Sequence, residues 1–238
     1  MRFKIKTSGF GIKKRWKLFT DRWTKPRKGR FIGHYDVWRS NRIAAIVEKY
    51  GAHFWMGKTV LEVGAGYGDI GSCFALLGAR VVCYEGRDEN TNAIKSRFDG
   101  ILEAETVDCD GVLPGGPWEV IIHLGVLYHL QNAELALRSA CQKCENLILE
   151  TECSDSDDPN FILTVKEDTF AFDQSMHGKG TRPSPAWVER ILKEEGFSFE
   201  RITDARCNGD LHRYDWPIQN TKEWRHGLRG MWFARKER

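Results

Sequence analysis

Three alternate glycines follow a short β-rich run near residue 60, and no other feature constrains the fold as strongly. The run Val60-Leu61-Glu62-Val63 leads into the segment GAGYG at 64–68, and a helical pattern begins at Asp69. A strand, a glycine turn and a helix in this order bring backbone N–H groups close to a ligand, because glycine has no side chain to hold it away. The turn therefore predicts a nucleoside-type ligand at the end of the first strand.

Strands and helices alternate along the chain on either side of this turn. Helical patterns cover residues 36–50, 69–77, 88–98, 132–143 and 184–195, and strand patterns cover 59–63, 80–85, 103–107, 118–124 and 146–151. This alternation predicts βαβ units, hence a mostly parallel sheet with helices on both faces. Two closing strands, at 197–202 and 229–234, predict an antiparallel C-terminal edge. We therefore expect a Rossmann-like α/β fold with a seven-stranded sheet.

The chain divides into a basic N-terminal extension, 1–34, and one domain, 35–238. Within the extension, apolar residues at 12, 16, 19 and 23 follow helical spacing, which predicts an amphipathic helix. Residues 153–183 show no clear period, and a loop of that length is usually functional. We expect this loop to form a lid or substrate wall over the site.

Charge is distributed unevenly along the sequence. Residues 1–50 carry 15 Lys/Arg and 3 Asp/Glu, whereas residues 51–200 carry 12 and 25. A basic extension of this kind suits a phosphate-bearing partner such as RNA, or a membrane surface. It could equally pack its aromatic stripe on the body of the protein. The sequence leaves these three roles open.

Composition excludes several other classes. No apolar run approaches the ~20 residues of a membrane-spanning helix, and the basic start lacks the apolar stretch of a secretory signal. The seven cysteines are scattered and odd in number, which favours a reduced, cytoplasmic chain. Cys141 and Cys144 form one C-x-x-C, but no second pair follows at zinc spacing. We expect no metal site.

Acidic residues stand at the ends of successive predicted strands. Glu85 ends the second strand, where a carboxylate can accept from both ribose hydroxyls. Asp108 and Asp110 follow the third strand, and either could face a ligand. His129 and Tyr128 follow the fourth strand; a histidine there can accept a proton near neutral pH, or simply fix the turn. Ligands in open α/β sheets bind at these strand ends.

The E-x-G-x-G-x-G arrangement that starts at Glu62 resembles motif I of the class I S-adenosylmethionine-dependent methyltransferases. The resemblance implies S-adenosyl-L-methionine as cofactor and in-line methyl transfer, with His129 and Tyr128 as catalytic candidates. It also implies an acidic residue, Asp108 or Asp110, near the adenine amino group. The cofactor-binding residues that we predict are Glu62, Gly64, Ala65, Gly66, Gly68, Glu85, Gly86, Asp108, Cys109 and Leu124.

Three short segments resemble a narrower group, the tRNA wobble-uridine carboxymethyltransferases. They are GVLYH at 125–129, WRS at 38–40 and RKGRF at 27–31. The resemblance implies that Lys28 and Tyr128 help to hold the extra carboxylate of carboxy-S-adenosylmethionine. Arg225 and Arg229 are candidates for the C-terminal arginine of that group.

The sequence thus predicts methyl transfer to an unidentified acceptor, either RNA or a small molecule. We expect the substrate to contact Lys28, Gln174, His177, Arg182 and Trp187. Carboxymethyl transfer to a tRNA base is the alternative. Two other classes remain: an NAD-type oxidoreductase, because residues 66–71 satisfy G-x-G-x-x-G, and a non-catalytic RNA-binding module that keeps the fold. The oxidoreductase hypothesis lacks a Tyr-x-x-x-Lys pair and a visible second catalytic domain.

Overall fold

A seven-stranded sheet runs through the computed structural model, which describes Phe31 and residues 33–237. Its strands are β1 (Thr59–Val63), β2 (Arg80–Glu85), β3 (Glu103–Thr106), β4 (Trp118–Leu124), β5 (Cys144–Ser154), β8 (Phe197–Ile202) and β9 (Trp224–Lys236). The order is β3-β2-β1-β4-β5-β9-β8. Strands β1 to β5 pair in parallel, and β9 is antiparallel to both of its neighbours. The predicted Rossmann-like fold is confirmed.

Five α-helices, three of which connect parallel strands, lie in the described part of the chain. They are α1 (His34–Tyr50), α2 (Asp69–Leu76), α3 (Asp88–Arg97), α4 (Ala133–Gln142) and α5 (Pro185–Glu194), with short 3₁₀ helices at Ala52–Trp55, Leu127–His129 and Ala205–Cys207. The central strands β1 and β4 are buried because helices cover the sheet, and their apolar side chains form much of the core. Helix α5 begins where Ser184 Oγ accepts from Trp187 N at 2.9 Å, with Pro185 in the first turn.

The segment expected to be an irregular loop is largely a β-hairpin. Strand β5 continues to Ser154, and β6 (Ile162–Lys166) pairs antiparallel with β7 (Lys179–Pro183). Residues 179–180 belong to β7, where a Cβ on Gly180 would overlap the Tyr128 backbone oxygen. The sequence pattern does not predict β7, because this strand is buried against the Leu127–His129 turn and does not alternate polar with apolar residues. Two connections in this segment lack helix and strand: residues 155–161, before β6, and residues 167–178, which we call the lid loop.

Met1–Arg30 lie outside the described residues, and so do the predicted amphipathic helix and Lys28. Within 33–237, no helix is long and apolar enough to cross a membrane. The same residues contain no group of three His, Cys, Asp or Glu side chains that could hold a metal ion.

Candidate active site

A cavity opens at the carboxyl ends of β1, β2 and β4, where the sequence predicted a ligand. Parallel strands end at one edge of the sheet, so residues far apart in sequence meet there. The predicted residues that line the cavity are Glu62, Gly64, Ala65, Gly66, Glu85, Gly86, Asp108, Cys109, Leu124, Tyr128, His129, Gln174 and His177. Gly68 does not line it; this glycine begins α2 with a left-handed φ of 73°.

The glycine turn forms the wall of the cavity above β1. Gly64 has a φ of +64°, and a Cβ at this position would overlap Val126 Cγ2. The backbone therefore passes closer to the β4 loop than any side chain would allow. Gly66 N donates to Glu85 Oε2 at 2.8 Å, which ties the turn to the end of β2. The space beside the turn is left to a ligand.

Glu85 is a buried carboxylate held in place by three donors. Besides Gly66, these are Arg87 N and Asn90 Nδ2, which donate to Oε1 at 3.1 and 3.2 Å. Burial nevertheless raises the pKa of Glu85, because the loss of water outweighs these hydrogen bonds. The carboxylate is fixed at the cavity wall, and its remaining lone pairs can accept from a ligand hydroxyl.

Glu62 lies deeper, under the glycine turn. Its Oε2 accepts from Gly71 N at 2.9 Å and lies 3.5 Å from Cys83 Sγ. Burial raises the pKa of Glu62 to about 8. The side chain is therefore mostly a neutral carboxylic acid at neutral pH.

The two aspartates after β3 have different surroundings. Asp110 accepts from the backbone N–H groups of Gln131 and Asn132, at 3.1 and 2.6 Å, and so fixes the turn before α4. Asp108 Oδ2 lies 2.8 Å from His177 Nε2. Asp108 is half exposed at the cavity edge. Of the pair, Asp108 is the carboxylate placed to meet a ligand.

His129 has a carboxylate partner that the sequence did not reveal. Its Nδ1 lies 2.6 Å from Glu167 Oε2. Burial opposes ionisation of Glu167, yet hydrogen bonds from His129 and Ser175 and the charge of Arg182 hold its pKa below the ordinary value. An ionised carboxylate only accepts hydrogen bonds, so Nδ1 carries the proton. His129 Nε2 has no hydrogen-bond partner among the described residues, and in the neutral ring with Nδ1 protonated it carries a lone pair.

The lid loop contributes residues to the cavity wall, and hydrogen bonds from Arg87 and Tyr35 hold it in place. Arg87 Nη2 donates to the carbonyl oxygens of Ala171 and Gln174, at 2.9 and 3.0 Å. Tyr35 Oη donates to Asp173 Oδ2 at 2.8 Å. Gln174 lines the cavity, but its Oε1 accepts from Asp168 N within the loop.

A row of alternating charges runs beneath Tyr128. Successive ion pairs join Arg42 to Glu150 (3.2 Å), Glu150 to Arg229 (3.4 Å), Arg229 to Glu152 (3.9 Å), Glu152 to Arg182 (2.5 Å) and Arg182 to Glu167 (3.0 Å). Each of these side chains is at most 5% exposed. We call these six residues the charge row. Glu167, at one end of the charge row, contacts His129.

Two predicted substrate residues are not at the cavity. Arg182 is an internal member of the charge row, where its Nη1 also donates to the Tyr128 backbone oxygen at 2.7 Å. Trp187 is buried in the core with Val188 and Ile191. Its indole is needed for packing because it lies on the inner face of α5.

The cavity fits a nucleoside without a pyrophosphate. Asp69, in the first turn of α2, is buried and pairs with Arg97 at 2.8 Å and with Arg39 at 3.7 Å. A pyrophosphate would have to approach this carboxylate at the helix N-terminus. The turn glycines, Glu85 and Asp108 instead offer backbone groups and carboxylates, which suit ribose and adenine.

Comparison with known proteins gives a consistent result. A family described as "Methyltransferase domain" matches residues 35–202. The N-terminal domain of EvdMO1 with SAH bound is 17% identical, with a TM-score of 0.66 and coverage of 96% of this chain and 97% of that one. Magnesium protoporphyrin IX methyltransferase (ChlM) from Synechocystis PCC 6803 with bound SAH is 15% identical, with a TM-score of 0.60 and coverage of 96% and 95%. The search of curated proteins found no match.

Proposed function

Since this chain belongs to the methyltransferase domain family, we propose that it transfers the methyl group of S-adenosylmethionine to an acceptor that loses a proton. One observation carries the proposal. A single cavity joins the glycine turn and Glu85 to His129, whose Nε2 is left as a proton acceptor. The bound cofactor would supply an electrophilic methyl group on a sulfonium.

The residues on the β1–β3 side would hold the cofactor. Gly64 and Gly66 border its amino-acid part and ribose, Glu85 accepts from the ribose hydroxyls, and Asp108 lies near the adenine. Each of these residues lines the cavity. The Cys109 thiol between them stays protonated, because burial raises its pKa to about 12.

On the other side of the cavity, His129 and Glu167 act together on the acceptor. Glu167 keeps the proton on Nδ1, so that Nε2 faces the acceptor as a base. Removing the acceptor proton makes a hydroxyl or protonated amine nucleophilic. Much of the remaining rate comes from holding the acceptor in line with the methyl group. Tyr128, whose ring centroid lies 4.0 Å from that of His129 with the two rings tilted by 44°, shapes this end of the cavity.

Calorimetric titration tests the cofactor. We expect saturable binding of S-adenosylmethionine and none of NAD. Glu85→Ala should weaken binding by about tenfold or more, since a charge-assisted hydrogen bond contributes roughly 1.5–3 kcal/mol. Glu105→Ala, an exposed carboxylate on the neighbouring β3, is the control. Equal losses in both variants, or preference for NAD, would overturn this cofactor site.

The base can be tested without knowing the acceptor. In ¹⁵N-histidine spectra we expect the ring of His129, assigned from His129→Asn, to be the Nδ1–H tautomer. Glu167→Ala should shift it toward the Nε2–H form, because the acceptor at Nδ1 is gone. Asp173→Asn, which alters a lid-loop carboxylate bonded to Tyr35, should leave the tautomer unchanged. An unaltered tautomer in Glu167→Ala would remove Glu167 from the mechanism.

Carboxymethyl transfer to a tRNA base is the second candidate. It is favoured by Tyr128, which lies in the cavity with the Arg229 guanidinium 4.4 Å from its ring; Arg225 is exposed. Carboxy-S-adenosylmethionine belongs in the same titration, and its preferential binding would promote this candidate. Bulk tRNA should then be screened as acceptor at several salt concentrations, because binding through the basic extension weakens steeply with salt.

A further inference from the structure

Arg42 is the open end of the charge row. The two other arginines each lie between two carboxylates: Arg229 between Glu150 and Glu152, and Arg182 between Glu152 and Glu167. Among the described residues, Arg42 has one carboxylate partner, Glu150. Buried charges are normally paired and hydrogen-bonded on every side, because burial removes the water that would otherwise solvate them.

The unused donors of Arg42 share one edge of its guanidinium. Nη1 donates to Glu150 Oε2 at 3.2 Å. Nε is buried without a hydrogen-bond partner, and Nη2 forms no hydrogen bond with the described residues. Nε and Nη2 point in parallel, and this two-nitrogen edge matches the two oxygens of a carboxylate. Arg229 Nε also lacks a partner, but Arg229 does not line the cavity, whereas Arg42 does.

Arg42 lies where the cavity meets the end of β4. Its Nη1 would be 3.7 Å from a Cβ on Gly125, the residue after β4, and its partner Glu150 is on β5. Glu85 ends β2, which β1 separates from β4, whereas Gly64 of the glycine turn lies next to Val126 in the loop after β4. The guanidinium is fixed there, because it stacks on the Trp38 ring at 3.7 Å.

We propose that the Nε and Nη2 edge of Arg42 binds a carboxylate of the methyl acceptor. The proposal rests on the proposed function, because it assumes that an acceptor enters this side of the cavity. The acceptor is then a carboxylic acid whose reacting hydroxyl or amine is a separate group, directed to His129. Aromatic side chains around the edge, Tyr35, Trp38 and Phe172, favour an acid with a ring or another apolar body.

Acid and amide pairs test the edge directly. Acetate and benzoate are titrated by NMR into the protein, with and without SAH, beside acetamide and benzamide. We expect each acid to bind about tenfold more tightly than its amide, as one charge-assisted pair implies. Arg42→Met should abolish the difference. Arg42→Lys, which keeps a charge opposite Glu150 but offers no two-nitrogen edge, should lose most of it. Arg190→Met, on the surface of α5, is the control.

Three results would overturn the proposal. The first is equal binding of acids and amides, and the second is a preference for acids that survives in both Arg42 variants. The third concerns the methyl donor in Arg42→Lys. In this result the variant binds S-adenosylmethionine or carboxy-S-adenosylmethionine more weakly than the wild type does, but it binds decarboxylated S-adenosylmethionine equally well. That result would assign the edge to a carboxylate of the methyl donor. Failure of the wild type to bind S-adenosylmethionine at all would instead defeat the proposed function.

Discussion

The two halves of the cavity are built in different ways. In the half formed by β1 to β3, the contacts join residues close in sequence: Glu62 meets Gly71, and Gly66 meets Glu85. In the half formed by α1, β5, β9 and the hairpin, Glu150 meets Arg42 and Arg229 across 108 and 79 residues. The first half follows from one strand, turn and helix, whereas the second exists only after the whole chain has folded.

The halves also depend on different interactions. After the roles proposed for them, we call the half formed by β1 to β3 the cofactor half and the other the acceptor half. The cofactor half relies on backbone groups and on the absence of side chains at the turn. The acceptor half relies on ion pairs that are removed from water, and loss of one partner there leaves another charge buried and unpaired. The acceptor half should therefore be the more sensitive of the two to single charge changes.

The largest effect should come from Glu150→Gln. This change leaves Arg42 and Arg229 without their shared carboxylate, and breaking a buried pair costs about 3–5 kcal/mol. Glu200→Gln, which removes an exposed partner of Lys49, should cost less than about 1 kcal/mol. Urea denaturation of both variants measures the difference. Similar costs would show that the charge row is no more important than a surface pair.

Gly64→Ala should have a smaller effect on stability but a direct one on the cofactor half. The left-handed φ costs roughly 1 kcal/mol and the overlap with Val126 about 1–3 kcal/mol more. Gly196→Ala is the matched control, because its φ is +76° and a Cβ there meets nothing within 4 Å. We expect Gly64→Ala alone to weaken S-adenosylmethionine binding in calorimetry. Comparable binding by the two variants would mean that the turn does not border the cofactor.

The third effect is a pH dependence from Glu62. Its pKa is about 8 in the folded protein, against an ordinary 4.5, because the carboxyl group is buried. The folded state therefore holds a proton that the unfolded state releases, and stability falls as pH rises from about 4.5 to 8. Glu62→Gln removes this dependence and keeps an acceptor for Gly71 N. The variant should gain stability over the wild type across that range, on the order of a few kcal/mol at most. If the difference in unfolding free energy between the wild type and Glu62→Gln is the same at every pH, Glu62 is not a buried acid with a raised pKa.

The contrast between the halves also explains how much could be predicted from the sequence. The sheet, its order of helices and strands, and the residues around the glycine turn are encoded locally, by periodicity and by glycine spacing. Glu85, Asp108 and His129 could be placed at one edge because parallel strands end together. The different roles of Asp108 and Asp110 could not be predicted. Both line the cavity, but Asp110 also accepts hydrogen bonds from a turn that only the structure shows.

No local sequence pattern predicted the contacts of the acceptor half. Glu167 lies 38 residues from His129, and no spacing rule connects a histidine after β4 to a carboxylate after β6. Arg182 and Trp187 were expected at the substrate because they lie in or just after the segment 153–183, which was expected to form the acceptor pocket. In the structure, the hairpin directs the Arg182 side chain to the charge row, and α5 directs the Trp187 side chain to the core. Both outcomes depend on tertiary packing.

The way in which Arg87 holds the lid loop has a consequence for how this enzyme can change. Arg87 binds main-chain oxygens of Ala171 and Gln174, and every amino acid supplies the same carbonyl. Side chains of the loop, such as Phe172 in the cavity and the 95% exposed Phe170, can be exchanged while this clasp persists. Substitutions in the loop can thus change the side chains that line the cavity while its main chain stays held by Arg87; under the proposed function, this would alter acceptor preference.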